Sequence, residues 1–320
     1  MLRIHRIQIL PFVAFVLALA AGCSAGSDRG GRGRGAPTPP TPSTPDAQPP
    51  SPGMDASTPP PPVGMDCAEG ARWIYVVDRD GTLRKFQPDT LEFTTIGTLA
   101  CSAPAGNTPF SMSVDRDAKA WVLYTDGRIY HVSTTDASCT PTSFAPNQAG
   151  YENFGMGFVA DAAGGSDETL FVSGGSSIGM LLGESAQLAS INTSSLVLSP
   201  VGGTLGGWPE LTGTGAGELY GFFPVTSAFS GEVTSVKRLD RATGNPVETF
   251  NLSSLNTTGV SAWAFAFWGG RFYIFVEVDL GGTAVHRFEP SSGTFETVIG
   301  NTGYGIVGAG VSTCAPVELI

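Results

Sequence analysis

Five apolar, aromatic-rich segments recur along this chain at nearly constant spacing: Trp73–Val77, Trp121–Thr125, Leu170–Ser173, Leu219–Phe223 and Phe272–Val276. Their starts lie 48, 49, 49 and 53 residues apart. A period of that length marks a supersecondary unit repeated along the chain, since one such unit cannot bury its own apolar face. A second segment follows each, with apolar residues three apart: Leu83 and Phe86, Ile129 and Val132, Leu188 and Ile191, Val236 and Leu239, Val285 and Phe288. Turn residues close it, as at Ala242-Thr243-Gly244, and an outer segment such as Phe93–Gly97 comes next. No stretch after residue 65 keeps a helical apolar period.

A fourth segment precedes every apolar one except the first. It opens on an aromatic residue, at Phe110, Phe154, Trp208, Trp263 and Tyr304, and the clearest copies then alternate small with apolar side chains, as in Phe154-Gly-Met156-Gly-Phe158. Alternation at period two is a strand signal. Small residues on one face suit the innermost strand of a crowded ring.

Four strands per repeat of about 50 residues is the pattern of a β-propeller. The expected fold is all-β, a five-bladed propeller spanning residues 66–320. The chain supplies five complete blades only if its final strand, around Tyr304–Thr313, joins the first blade. Closure of that kind removes open sheet edges. A β-sandwich or β-solenoid is the competing architecture. The repeat resembles propellers as a class, without the Trp-Asp signature of WD repeats.

Four cysteines fall in this domain. Cys67 precedes the first strand and Cys314 ends the strand expected to close the same blade, so a Cys67–Cys314 bond would lock the ring, leaving Cys101 with Cys139. Closing so long a loop is worth about 4–5 kcal/mol in the chain-entropy treatment. No CxxC pair and no histidine partner suggests a metal site, and no cofactor motif is evident.

The N-terminus reads as an export signal. Arg3 and Arg6 precede an apolar run from about Ile7 to Ala21, too short and too near the end to read as a membrane span. It closes on Leu19-Ala-Ala-Gly-Cys23, which resembles the lipobox of bacterial lipoproteins, although the position three before the cysteine holds Ala20 where those proteins usually carry Leu. That resemblance implies a signal peptide over residues 1–22 and lipidation of Cys23, with the membrane as one partner through the acyl chains. Ser24, not Asp, follows the cysteine, which by the same resemblance favours the outer membrane of the cell envelope. Residues 23–65 are expected to be a disordered tether. Gly31–Gly35 alternates Gly and Arg, and 12 of the 24 prolines lie between Pro37 and Pro62. Such a stretch cannot bury enough apolar area to offset ordering.

Residues 66–320 carry 12 basic and 25 acidic side chains, a net charge of −13. Nucleic acid is therefore not an expected partner, because phosphate binding needs clustered Lys and Arg. Catalytic motifs are thin. His131 and His286 lie in different blades and read as packing residues. Asp78-Arg-Asp-Gly81 and Asp115-Arg-Asp117 look like pieces of a calcium loop but read as turns. Gly175-Ser-Ser177-Ile-Gly179 fits the hydrolase elbow pattern, yet that elbow needs a helix after the strand and a histidine base, and the sequence suggests neither. The best candidates are geometric. In a closed ring Phe110, Phe154, Trp208, Trp263 and Tyr304 would gather near one mouth of the channel, beside the long hairpins Gly174–Ala186 and Pro224–Thr234. Aromatics there would suit a protein or glycan partner. The expected function is a non-enzymatic binding or scaffold module, with a lyase or hydrolase sited at a channel mouth as the alternative.

Overall fold

A computed structural model describes residues 67–226 and 232–319; the expected signal peptide, Cys23 and the tether lie outside the described residues. The described strands form five antiparallel four-stranded sheets, and these are the blades of a propeller. Blade 1 begins with β1 (Ile74–Asp78), β2 (Thr82–Gln87) and β3 (Glu92–Thr98). Blade 2 holds β4 (Pro109–Val114), β5 (Lys119–Tyr124), β6 (Ile129–Ser133) and β7 (Cys139–Pro141). Blade 3 holds β8 (Asn153–Ala160), β9 (Glu168–Gly175), β10 (Gln187–Ile191) and β11 (Leu198–Thr204), with a short helix α1 (Ser177–Leu181) between β9 and β10. Blade 4 holds β12 (Glu210–Gly213), β13 (Leu219–Phe223), β14 (Ser235–Leu239) and β15 (Pro246–Asn251). Blade 5 holds β16 (Val260–Trp268), β17 (Arg271–Val278), β18 (Thr283–Glu289) and β19 (Thr294–Ile299). The last strand, β20 (Ile306–Gly310), pairs antiparallel with β1, setting Tyr75 opposite Gly310 and Val77 opposite Gly308. The first blade is thus completed by the end of the chain, as the repeat count requires.

Position in the blade sets the composition of each strand. The second strand of a blade is covered on both faces by neighbouring blades, so β1 and β13 are buried at every residue and read as unbroken apolar runs. Outermost β15 has no buried residue, and polar residues make up half of it. The core lies between blades. Phe86 of blade 1 meets Tyr273 and Phe275 of blade 5 edge-on, with ring centroids 5.5 and 5.8 Å apart. Trp121 of blade 2 meets Phe158 of blade 3 in the same way.

At the axis the small residues have the expected purpose. A Cβ on Gly155 would stand 2.7 Å from the carbonyl oxygen of Pro209, and one on Gly157 would stand 3.0 Å from the Thr212 Cα. Hydroxyls then stitch blade to blade: Ser113 accepts from the Phe158 amide, Thr212 from Phe267 and Thr283 from Ile306.

The ring is also locked covalently. Cys67 and Cys314 form a disulfide with Cα atoms 6.0 Å apart, and Cys101 pairs with Cys139 at 5.0 Å. The acidic pieces resembling calcium loops cap their own turns. Asp78 Oδ1 accepts from the amides of Asp80 and Thr82, and Asp115 Oδ1 from those of Asp117 and Lys119.

Candidate functional site

Inner strands β4, β8, β12, β16 and β20 run in one direction around the axis, so their first residues share one end of the ring. Four of the five expected aromatics do converge there. Phe110, Phe154, Trp208 and Trp263 line one cavity with Met180 and Glu210. They are not a uniform set. Phe154 is fully buried, while Phe110, Trp208 and Trp263 are half-buried. Trp208 precedes β12 rather than opening it, and Trp263 sits inside β16. The Trp208 indole N–H donates to the Glu184 carbonyl at 2.5 Å, fixing the ring against the loop after α1.

Tyr304 departs from the set. It stands two residues before β20, and its ring lies under the Arg84 guanidinium at 3.8 Å and edge-on to Phe93 at 5.6 Å. Those contacts fasten the chain entering β20 onto the outer strands of blade 1. A cation from β2 and an aromatic ring from β3 hold this tyrosine more firmly than an open mouth would.

The cup is shallow. The space enclosed beneath the aromatics is about 10 Å³, room for roughly one water. Its floor is the Glu210 carboxyl, which is buried and accepts from Ser111 Oγ at 2.9 Å. Burial pushes this acid up to about 8, against the opposing pull of Ser111 and the Met156 amide, so it is protonated at neutral pH. The Ser173 hydroxyl on the same wall is buried without a partner.

Beside the cup, helix α1 and the residue after it expose apolar side chains. Helix α1 follows β9 directly, which corrects the expectation that no helix comes after this strand. Ser176 Oγ caps it by accepting from the Gly179 amide at 3.0 Å. Met180 turns toward the cup, whereas Ile178, Leu181 and Leu182 are 69, 86 and 74% exposed. Three large aliphatic side chains held out on one short segment are unusual in a monomer's surface. The strand–helix context of the hydrolase elbow is therefore present at Ser177. Its hydroxyl, however, receives a bond from Asn153 Nδ2 at 2.9 Å, and no histidine lines the notch around it.

The opposite end of the channel is polar and tied shut. Arg116 donates to Thr313 Oγ1 at 3.1 Å, Thr313 donates to Glu168 Oε2 at 2.8 Å, and the Arg116 amide donates to Glu168 Oε1 at 3.1 Å. Burial lifts Glu168 to about 7. A groove of about 390 Å³ beside it also holds Trp121 and His131. The two sequence-flagged histidines do not meet: His131 packs on Trp121 in blade 2, while His286 of blade 5 bonds Thr297 and is pulled down to about 4 by burial.

No family model matches the chain, and no curated protein matches it. Solved structures similar in fold include TolB from Acinetobacter baumannii, at 14% identity and a TM-score of 0.42, covering 73% of this chain and 54% of that one. A chain of the Mitotic Checkpoint Complex is similar at 12% identity and 0.35, with 71% and 60% covered. A protein of unknown function from Bacteroides caccae is similar at 11% and 0.40, with 74% and 97% covered. This chain spans about half the length of the TolB chain it matches.

Proposed function

We propose that this chain is an envelope lipoprotein, acylated at Cys23 and held off the membrane by residues 24–65, whose propeller binds a protein partner through its aromatic end. One observation carries the reading: Ile178, Leu181 and Leu182 are exposed together on a capped helix beside Phe110, Trp208 and Trp263. A protein favours that surface over a glycan. A sugar needs open aromatic faces and a cleft, whereas the cup is nearly filled and its tryptophans pack inward. Exposed aliphatic side chains beside aromatic anchors suit the core of a protein interface.

The enzyme alternative draws on the opposite end, where Glu168 near neutrality shares a groove with His131. Both Glu168 oxygens are already engaged by Arg116 and Thr313, which weakens it as a catalytic base.

The test is capture from detergent-solubilised envelope with the full chain as bait, beside a Leu181→Ser/Leu182→Ser variant. The reading expects one partner retained by the native chain and lost by the variant, with melting temperatures matched because both side chains are exposed. Equal recovery by both baits would refute it.

A further inference from the structure

Immediately beside α1 lies a notch of about 260 Å³ between the Asp126 turn of blade 2 and the Glu152–Asn153 entry to blade 3. Ser177 belongs to both the notch and the helix, so the two surfaces are continuous. Two residues of the notch, Asn153 and Glu152, leave acceptor capacity unused. Asn153 spends its amide N–H on Ser177 Oγ, and its Oδ1 is buried with no partner. Glu152 accepts from the Ser177 amide at 2.9 Å, and this bond holds its carboxyl below the usual range, so it stays ionised. Among the described residues no cation pairs with Glu152. Asp126 is compensated by Arg128 at 2.5 Å. Glu184, just after α1, likewise has no cation partner among the described residues. The exposed apolar side chains of the helix thus adjoin a notch that holds an ionised carboxylate without a cation partner and that Asn153 also lines.

An ionised carboxylate without a cation partner, beside an amide whose oxygen is unpaired, favours a donor from outside. We infer that the partner docks a basic, apolar segment: a Lys or Arg head enters the notch beside Glu152 and Asn153, and an aliphatic or aromatic neighbour lies on the Ile178–Leu182 ridge. Ammonium and guanidinium groups are pure donors, which matches the acceptors of Glu152 and Asn153. The inference rests on the reading of this end as the partner-binding face and adds the partner's chemistry.

A random peptide display library selected on the full chain in detergent tests it, with Glu152→Gln and Leu181→Ser/Leu182→Ser as parallel baits. Glutamine keeps an acceptor for the Ser177 amide while removing the charge. The expected result is enrichment of Lys or Arg next to Leu, Ile or Phe. A synthetic copy of a selected peptide should bind Glu152→Gln about tenfold more weakly and lose affinity as salt rises. Acidic or uncharged peptides that are lost on the leucine variant would overturn the cation and leave the binding face standing. Peptides that bind all three baits equally, or no selected peptide at all, would overturn both.

Discussion

Ser111 and Glu210 are joined by a hydrogen bond of 2.9 Å across 99 residues, and they belong to the inner strands of blades 2 and 4, with blade 3 between them. The channel is therefore so narrow at its aromatic end that side chains bridge it. The carboxyl is fully enclosed and kept neutral by burial. It makes the floor of the cup a rigid, uncharged platform under the exposed surface.

That neutral acid gives a pH signature. Glu210 titrates near 4.5 in the unfolded chain and near 8 when folded. Between those values the folded protein keeps a proton that the unfolded chain releases, so this residue's contribution to stability falls as pH rises through the window and levels off above about 8. Glu210→Gln has no such proton. Its melting temperature relative to wild type should climb from about pH 5 to pH 8 and show little difference below pH 4.5, as followed by calorimetry. Glu168 is raised in the same direction but is common to both proteins, so the difference isolates Glu210. A flat difference across this range would contradict the assigned burial.

The crossing of blade 3 over blade 4 depends on the missing side chain at Gly155. A methyl group there would press on the Pro209 carbonyl at 2.7 Å and on the Glu210 backbone at 2.9 Å. Overpacking of this kind costs about 1–3 kcal/mol. Gly155→Ala should lose that much in urea unfolding.

Ring closure by the terminal strand makes the Cys67–Cys314 bond a clasp. Its sequence separation is 247 residues. Removal through Cys67→Ser/Cys314→Ser should cost about 4–5 kcal/mol and lower the melting temperature by roughly 8–20 °C. The Cys101–Cys139 bond closes a loop of only 38 residues and should matter less when removed the same way.

Much of the fold was legible because its strands announce themselves. Trp73–Val77 and Leu219–Phe223 are apolar throughout since blades cover both faces. The lone strand at the C-terminus pointed to β1 as its partner, and Cys314 to Cys67. The candidate site was legible only in part. Phe110, Phe154, Trp208 and Trp263 gather as the repeat implied. Tyr304 does not, because its contacts depend on Arg84 and Phe93, more than 200 residues earlier in the chain. Helix α1 was hidden by its Ser/Gly-rich sequence: Ser176 caps one turn that no apolar period advertises. Glu210 gave no signal either. Its burial comes from Gly155 and Ser111 on other blades, and a single acidic residue after Pro209 looks like surface. A glutamate at the first position of an innermost strand, where every neighbour is small or apolar, is the signal that would have found it.

In the proposed function the aromatic end meets a partner and the opposite end does not. A photo-crosslinking amino acid placed at Leu181, 86% exposed beside the cup, can be compared in intact envelopes with one at Val197, 51% exposed on the β10–β11 turn at the other end. A discrete crosslinked species is expected from position 181 and none from 197. Equal crosslinking from both positions, or a species from 197 alone, would contradict it.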